Sequence, residues 1–448
     1  MTHNTLTDLF HTRKNILGGV TNASERLDAC VAVAQSPACD KVFLRTMFDE
    51  ARQIAAGADA RRRPLAGLAV SVKDLFDVQG QATGAGSLTR ADVAPAQQDC
   101  PAVARLRAAG GAIIGRTNMT EFAFSGVGIN PHFGTPANAA SRDEPLIPGG
   151  SSSGAAVAVA TGAAYIGLGS DTAGSIRIPA ALNGIVGFKN TAALVPRDGV
   201  IPLSTTLDTV CAMTRSVPDA IVAHEILAAR MVTRSMAPLP AYRLAVVRQL
   251  MQDEMDPVVD QAWQRTLGQL RASGASIAEI DMPELDELPA LMAHGAFAGS
   301  ESFAYHRKAL ERVGDQFDPR VAARIRRGAT MSAADYIDLL HARTDWIARV
   351  GQRLQSFDAV LSPTVPLVAP PIRLIAPGAE RDDAFFRVNG LLLRNTNVVN
   401  MFDGCALSLP CHQAHELPVG LMVWHGAYRD DVVLNIGCQI ELLLLQAG

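Results

Sequence analysis

The sequence predicts an α/β protein in which helices are layered on a β-sheet. Three observations support this fold class. Of the 448 residues, 48% are hydrophobic and only 19% are charged, a balance typical of a well-buried globular chain. Short apolar runs alternate with helical stretches, which is the order that layered α/β folds require. The 37 glycines favour tight turns and closely packed backbone.

The residue pattern of the N-terminal third predicts a helical region, a strand, a helix and a second strand, in that order. Residues 1–60 are predicted to be helical, because apolar side chains from Leu27 to Ala51 recur at roughly helical spacing. The apolar run LAGLAVSV then predicts the first strong strand, which ends at Lys73. A helix from about Pro101 to Ala109, stopped by two glycines, and a strand AIIG follow it.

Small residues dominate the middle of the chain. Residues 125–150 are predicted to form a long loop rich in Gly, Pro and Asn, and loops of that length in compact domains are often functional. The stretch AAVAVATGAA after Ser151 predicts a helix, and YIGLG predicts a strand. A second helix is predicted from about Ile176, after the turn SDTAGS.

The C-terminal half continues with strands and amphipathic helices. The helices are predicted over residues 253–273 and about 331–355. Strands are predicted from the runs LAVV, IAEI, AVLS, ALSL and VGLMVW, near positions 244, 277, 359, 406 and 419. Because no repeat, low-complexity tract or clear linker divides the chain, we expect one domain over residues 1–448, with a helical subregion at about 216–345.

Charge and cysteine content argue against several classes of protein. The net charge of −4 provides no electrostatic footprint for nucleic acid or an anionic membrane. Seven widely spaced cysteines without a CxxC pair indicate neither a disulfide framework nor a zinc knuckle. The N-terminus lacks the apolar core of a signal peptide, and no apolar stretch reaches the roughly 20 residues that span a bilayer. We therefore expect a cytoplasmic protein that binds neither nucleic acid nor membrane.

A lysine at a strand end is a candidate catalytic base. A serine hydroxyl is a weak nucleophile and needs a neighbouring base to take its proton. In most serine hydrolases this base is a histidine. Lys73 could serve instead if burial populates its neutral amine. A lone lysine at such a place is ordinarily a surface charge, so the hypothesis depends on the serine segments.

Two serine-rich segments favour catalysis. In PGGSSSGAA the serines fall at a helix N-terminus, and three in a row after two glycines exceed what capping requires. In GSDTAGSIRIPAA, consecutive backbone N–H groups from Thr172 to Ser175 predict a nest that can hold the oxyanion of a tetrahedral intermediate. Asp171 and Arg177 flank this turn, and we expect them to pair and fix it in a structural role.

These segments together resemble the amidase signature family. The chain has K-D, then GGSSSG, then SDTAGSIRIPAALNGIVGFKNT, and Ser151 and Ser175 are 175 − 151 = 24 residues apart, as are the relay serine and the nucleophile of that family. The resemblance implies a three-layer α/β/α sandwich around a large mixed sheet. It also implies that Lys73 is the base, Ser151 the relay serine in a cis peptide, and Ser175 the acylating serine. Two further roles are implied for neighbouring groups, namely oxyanion binding by the backbone N–H groups of Thr172, Ala173, Gly174 and Ser175, and a supporting hydrogen bond from Ser152.

The resemblance implies an amidohydrolase that cleaves a linear amide, carbamate or ureido C–N bond, yielding a carboxylic acid and ammonia or an amine. This chemistry needs no metal and no organic cofactor. Ser153 and Ala173 stand where the family usually has glycine, and Asn190 where it often has proline, so the substrate stays open. We expect a small-molecule amide as the binding partner and allow for a homodimer. The alternatives are a glutaminase-type A subunit of a tRNA-dependent amidotransferase and a catalytically silent family member.

Overall fold

Eleven strands form one mixed sheet in the computed structural model, which describes residues 6–57, 60–293 and 296–447. Their spatial order is β1-β3-β2-β4-β6-β5-β10-β11-β9-β7-β8. Four neighbouring pairs are parallel, namely β2–β3, β2–β4, β7–β8 and β7–β9, and the other six are antiparallel. The strands are β1 (Phe43–Thr46), β2 (Ala69–Lys73), β3 (Ala112–Thr117), β4 (Ile166–Asp171), β5 (Val186–Lys189), β6 (Thr209–Thr214), β7 (Arg243–Val247), β8 (Ser276–Ile280), β9 (Ala359–Pro363), β10 (Cys405–Pro410) and β11 (Gly420–His425).

Helices cover both faces of this sheet. The helices are α1 (Leu9–Leu17), α2 (Ala23–Ala34), α3 (Phe48–Ala56), α4 (Pro101–Ala108), α5 (Ser153–Thr161), α6 (Arg177–Asn183), α7 (Val217–Ala228), α8 (Pro257–Ala272), α9 (Leu288–Leu291), α10 (Ala296–Val313), α11 (Pro319–Arg326), α12 (Ala333–Leu354), α13 (Asp382–Met401) and α14 (Asp430–Ala447). Along β11, Leu421 and Val423 pack with α7, α8 and α14, whereas Met422 and Trp424 pack with α12 and α13 on the other face. The three-layer α/β/α sandwich is therefore confirmed.

Three strands were not predicted from the sequence, and a fourth begins later than predicted. The stretch expected to be wholly helical over 1–60 contains β1, a short edge strand whose backbone pairs with β3. The sequence also did not predict β5 and β6, in which every residue is buried. β5 has only four residues, which is the shortest length at which a strand pattern can be recognised, and β6 was missed although it contains the apolar run VCAM. The strand expected from position 65 begins only at Ala69, because residues 65–68 form a turn in which Ala66 and Gly67 adopt positive φ.

The parallel pairing of β2 and β4 creates the edge on which the candidate site is built. Val72 lies opposite Leu168, so the end of β2 at Lys73 lies close to the end of β4 at Asp171. Helix α5 begins just after the long loop 125–150, and α6 follows the turn after β4. Lys73 and both serine segments are therefore brought to the same edge of the sheet.

Two further observations concern membrane-spanning helices and the cysteines. Among the described residues, none of the helices has both the length and the apolar character needed to cross a membrane. All seven cysteines are free thiols, and six of them are buried.

Candidate active site

Lys73 is completely buried at the carboxyl end of β2. Its Nζ donates a hydrogen bond of 2.7 Å to Ser151 Oγ and a second one of 2.9 Å to Ser170 Oγ. The lysine expected to act as base therefore contacts the serine expected to act as relay, although the two lie far apart in the chain. The contact to Ser170 was not predicted from the sequence.

The environment of Lys73 favours its neutral form. Burial lowers the pKa of Lys73 from 10.5 to about 7, even though the nearby charges of Asp208 and Asp171 act in the opposite direction. Desolvation outweighs these charges because burial strips the ammonium of its hydration shell. At neutral pH the amine is thus unprotonated in a substantial fraction of molecules, as a general base requires.

Ser151 lies where the long loop enters α5, and its peptide bond to Gly150 is cis. The segment is held by backbone hydrogen bonds from Gly150 N–H to the Gly126 carbonyl at 2.8 Å and from Thr120 N–H to the Ser151 carbonyl at 3.1 Å. A Cβ on Gly150 would lie 2.6 Å from Gly128 N, so no larger residue fits there. The paired glycines of the motif thus allow the loop to approach closely enough to hold the Ser151 hydroxyl against Lys73.

Ser175 lies in the turn between β4 and α6 and lines a cavity of about 790 Å³. Among the described residues, its hydroxyl makes no hydrogen bond, so a direct link from Ser175 to Ser151 is not formed here. The two serine segments nevertheless pack on one point of β4. A Cβ on Gly169 would lie 2.7 Å from Ser152 Oγ and 2.9 Å from Ile176 Cδ1. Catalytic hydrogen bonds are often incomplete in free enzymes and form when substrate binds.

The turn after β4 presents unpaired backbone donors to the cavity. Within the described part of the chain, the N–H groups of Thr172, Ala173 and Ser175 make no hydrogen bond, and all three residues line the cavity. The Gly174 N–H instead donates to Asp171 Oδ1 at 2.8 Å. Three of the four expected oxyanion donors are therefore available to a ligand, and the fourth stabilises the turn.

A buried ion pair holds this turn in place. Arg177 donates to Asp171 through Nε at 3.0 Å and through Nη2 at 2.9 Å, as expected from the sequence. Burial by itself raises the pKa of Asp171, but the Arg177 guanidinium outweighs it and lowers that pKa to about 2. Arg177 also donates to the Thr396 carbonyl at 2.9 Å and to Asn400 Oδ1 at 2.6 Å. The pair thus fastens the turn to α13, a connection that the sequence did not predict.

Ser152 and Asp208 are buried next to the candidate site. Ser152 Oγ donates a long bond of 3.4 Å to the Ser170 carbonyl, so it touches the strand that carries Ser170 rather than the cavity. Asp208 accepts a hydrogen bond of 2.6 Å from Thr172 Oγ1, and burial raises its pKa to about 6. Asp208 directly precedes β6, and the antiparallel pairing of β4 and β6 brings it next to Thr172. The sequence did not predict this contact.

The cavity beside Ser175 is mainly apolar, with a few polar groups. Its walls include residues of the loop after β3, the turn after β4, the segment before β6, and the helices α10, α11 and α13. Phe124 and Met401 line the cavity, whereas Phe122 packs in the core against Phe317. The described lining residues are Ala123, Phe124, Ser125, Thr172, Ala173, Ser175, Leu203, Leu207, Met292, Ala293, Ala296, Ala298, Arg324, Arg327, Thr330, Leu393, Asn397 and Met401.

No cluster suited to a metal ion is found in the ranges that the structure describes, where no three His, Cys, Asp or Glu side chains converge. The arrangement offers the buried amine of Lys73, the Ser151 hydroxyl in contact with it, and the Ser175 hydroxyl at a cavity with free N–H donors. Such an arrangement is suited to acyl transfer.

Comparison with known proteins gives consistent matches over nearly the whole chain. A family model described as Amidase matches residues 27–434. A 2-amino-5-chloromuconic acid deaminase from Comamonas testosteroni is 36% identical over 86% of this chain and 83% of its own. The A subunit of a glutamyl-tRNA(Gln) amidotransferase from Symbiobacterium thermophilum is 32% identical over 94% of this chain and 93% of its own. A crystal structure of an amidase superposes with a TM-score of 0.85 at 31% identity, covering 97% of this chain and 99% of the other.

Proposed function

This chain belongs to the amidase signature family and is a hydrolase of amide C–N bonds, and we propose that it works through an acyl-enzyme on Ser175. The observation that supports this most strongly is the buried 2.7 Å contact between Lys73 Nζ and Ser151 Oγ, next to the segment that carries Ser175. Desolvating an amine costs free energy, and this one contacts only hydroxyl groups among the described residues, so its burial favours a role for the neutral amine.

In the first half of the proposed reaction, neutral Lys73 takes the proton of Ser151 as Ser151 takes that of Ser175. Ser175 Oγ attacks the amide carbonyl, and the free N–H groups of Thr172, Ala173 and Ser175 stabilise the resulting oxyanion. The proton then returns along the same path to the leaving nitrogen, which departs as ammonia or an amine. The C–N bond breaks, and the acyl group remains on Ser175 as an ester.

In the second half, a water molecule replaces the leaving amine. It gives its proton to the Ser151–Lys73 pair and attacks the ester carbonyl, and the same N–H groups hold the oxyanion. Ser175 recovers its proton as the carboxylic acid leaves. Every proton passes through chain groups, so no cofactor enters either step.

The assignment of Ser175 as nucleophile is tested with Ser175→Ala and a fluorophosphonate. We expect the variant to lose amide hydrolysis by a factor of about 10³ or more and to lose covalent labelling, because the acylating oxygen is gone. Intact-mass and peptide mass spectrometry locate the label. Ser125→Ala is the matched control, since Ser125 lines the same cavity and its hydroxyl bonds to Asn389. Labelling that persists in Ser175→Ala, at another serine, would contradict the assignment.

The substrate is proposed at the level of chemical class, as a small linear amide, with carbamate or ureido compounds as variants of the same carbonyl chemistry. Two relatives support the release of ammonia, since one is named as a deaminase and another as part of an amidotransferase. A screen of aliphatic, aryl, carbamate, ureido and glutamine substrates identifies the class, with Ser175→Ala as the blank. We further propose that the protein acts in the cytoplasm, alone or as a homodimer.

The glutamine-hydrolysing component of a tRNA-dependent amidotransferase is the second candidate function. It is favoured by the identity of 32% to the A subunit of such an enzyme over more than nine-tenths of both chains. This candidate predicts glutaminase activity and a stable complex with other proteins. Amide hydrolysis by the purified chain, without ATP or partner proteins and with glutamine as a poor substrate, would exclude it.

A further inference from the structure

A second cavity lies at the end of β4, apart from the first cavity, which is the one beside Ser175. It has a volume of about 370 Å³, and the two cavities share none of their described lining residues. Ser170 and Asp208 line the buried part of the second cavity, whereas Arg197 and Thr205 line it where the chain is exposed. The second cavity therefore reaches from the protein surface to the buried strand β4.

The loop that precedes β6 separates the two cavities. Leu203 and Leu207 line the first cavity, whereas Thr205 and Asp208 line the second. The carboxylate of Asp208 holds this loop, because it accepts the N–H groups of Leu203 at 3.0 Å and of Ser204 at 3.1 Å. A ligand that fills the first cavity therefore leaves the second one in contact with solvent.

Ser170 connects Lys73 to the second cavity. Lys73 Nζ donates a hydrogen bond of 2.9 Å to Ser170 Oγ and contacts Ser151 Oγ of the proposed relay at 2.7 Å. In the part of the chain that the structure describes, no group accepts the proton of the Ser170 hydroxyl. A serine hydroxyl can accept one hydrogen bond and donate another. Ser170 can thus take a proton from Lys73 and pass its own proton on to water.

The titratable side chains near Lys73 offer it no direct path for a proton. Asp208, Asp171 and Cys211 act on Lys73 as charges, but among the described residues none of them bonds to its Nζ. The Asp171 carboxylate accepts two hydrogen bonds from Arg177. Burial raises the pKa of the Cys211 thiol well above its ordinary value. Within the described chain, a proton on Lys73 can therefore leave only through one of its two hydroxyl contacts.

Lys73 has to exchange protons while substrate is bound. Burial lowers the pKa of Lys73 to about 7, so near neutral pH part of the enzyme binds substrate with a protonated lysine. The substrate then fills the first cavity and covers Ser175, where the relay from Ser151 ends. Since Lys73 is completely buried, this complex can react only if the proton leaves through its other hydroxyl contact.

We propose that the second cavity is a proton port, in which water takes the proton of Lys73 by way of Ser170 while substrate occupies the first cavity. One proton moves from the Lys73 ammonium to Ser170 Oγ, and the Ser170 hydroxyl gives its own proton to a water molecule in the second cavity. An N–H bond and an O–H bond break, and two O–H bonds form, one on Ser170 and one on the water, which passes the proton to bulk solvent. This inference rests on the function proposed above and adds Ser170 to it as a positioning residue that acts through Lys73.

The test is a pH jump on the enzyme–substrate complex. Enzyme is mixed at about pH 5.5, where Lys73 is protonated, with a saturating 4-nitroanilide identified in the substrate screen, and is then brought to about pH 8.5 in a stopped-flow instrument. The reference is enzyme kept at about pH 8.5 before it meets the substrate. For the wild type we expect 4-nitroaniline to appear equally fast in both orders of mixing, because the bound complex loses its proton through the port.

Ser170→Val and Ser170→Thr form a matched pair, since valine and threonine are nearly equal in shape and only threonine has a hydroxyl. Ser170→Val should show a lag after the acid incubation, with an onset slower than in its own reference by about 10-fold or more. Ser170→Thr should start without a lag. A purely structural role of Ser170 would slow both orders of mixing alike.

A second pair of variants tests the mouth of the cavity without changing a contact of Lys73. Thr205→Trp places a large side chain at the exposed mouth and should cause the same kind of lag, which provides the test if Ser170→Val is unstable. Ala193→Trp is the control, because Ala193 is exposed and is not among the described lining residues of either cavity. It should show no lag.

The outcomes separate this inference from the proposed function. If the wild type itself lags after the acid incubation, or if Ser170→Val and Thr205→Trp each start equally fast in both orders of mixing, the port is wrong and the amidase assignment stands. If the wild type neither labels at Ser175 nor hydrolyses any amide, both fail.

Discussion

At the scale of single residues, the central question is how a lysine becomes a base at neutral pH. Lys73 has no acidic partner within ion-pair distance among the described residues, and its Nζ contacts only hydroxyl groups there. Hydroxyls satisfy the donors of an amine without stabilising the ammonium as a carboxylate would. Burial therefore determines its pKa, and the negative charge of Asp208 limits the decrease.

Removing the charge of Asp208 should shift the pH dependence of catalysis. In the wild type we expect kcat/KM to rise with pH to a plateau, with an acid limb near pH 7 where Lys73 loses its proton. Asp208 raises the pKa of Lys73, so Asp208→Asn should lower that pKa and move the limb to lower pH, on the order of 1 unit. The measurement is kcat/KM between pH 5 and 9, roughly the range over which such a base titrates.

Asp198→Asn provides the control for this change. Asp198 is exposed and is not among the charges that act on Lys73, so its loss should leave the limb in place. An acid limb that stays at the same pH in Asp208→Asn would mean that a group other than Lys73 titrates. The position of the limb is informative even if the variant also reduces the plateau rate.

At the scale of elements, the turn between β4 and α6 depends on α13. The Asp171–Arg177 pair has no solvent exposure, and Asn400 Nδ2 adds a hydrogen bond of 3.0 Å to Asp171 Oδ1. Thr396 Oγ1 donates to the Ala173 carbonyl at 2.6 Å. Since the free N–H groups of the turn are the proposed oxyanion donors, their geometry depends on a helix more than 200 residues away in the chain.

Arg177→Met should destabilise the protein strongly. It leaves the carboxylate of Asp171 buried without its cation, which typically costs about 3–5 kcal/mol. We expect a clear fall in the free energy of unfolding, measured in urea at neutral pH. Arg373→Met is the control, because Arg373 forms an ion pair with Glu144 whose side chains are 69% and 41% exposed. It should change the stability little. Equal stabilities of the two variants would show that the buried pair does not hold the turn.

The packing of α14 on the sheet predicts a contrast between two helical glycines. A Cβ on Gly437 would lie 2.1 Å from Leu407 Cδ2, a fully buried side chain of β10. Gly437→Ala should therefore cost about 1–3 kcal/mol through overpacking. Gly268 in α8 has no atom within 4 Å of such a Cβ, so Gly268→Ala should stabilise by about 0.5–1 kcal/mol. Thermal unfolding distinguishes the two, and equal signs would contradict the described packing of α14.

At the scale of the whole molecule, the sheet joins segments from the entire chain. Strands β7 and β8 lie within residues 216–345 and pair parallel to each other, and β7 also pairs parallel to β9, so this segment extends the sheet as well as contributing helices. The sheet continues without a break from β1 to β8. We therefore propose that residues 1–448 act as one domain.

One domain should unfold in one transition. The three tryptophans, Trp263, Trp346 and Trp424, are fully buried on α8, α12 and β11, and so report on the part of the molecule that contains β7, β8 and β9. Far-UV circular dichroism reports on all helices and strands. In urea we expect the fluorescence and circular-dichroism midpoints to coincide, because a shared sheet couples both halves. A separate, earlier fluorescence transition would indicate that the part of the molecule containing β7, β8 and β9 folds as a unit of its own.

The amino-acid sequence by itself determined the chemistry and the class of fold. The GGSSSG and SDTAGS segments and the lysine at a strand end resemble the amidase signature, which implies acyl transfer, and these local patterns also specify tight turns, helix starts and a strand end. The same local rules predicted eight of the eleven strands, namely all except β1, β5 and β6. β1 and β5 have only four residues each, too few for a clear strand pattern, and β6 was missed although it contains the apolar run VCAM.

Only the tertiary structure decided which distant groups meet at the site. Ser170, Asp208 and Asn400 contribute through the pairing of strands and the docking of α13, and Arg324 and Arg327 reach the cavity from helix α11 and the turn after it. No local pattern distinguishes these residues from ordinary polar positions. Their effect on pKa and turn geometry arises from burial and from contacts between segments that are remote in the chain, and burial and contacts exist only once the chain has folded.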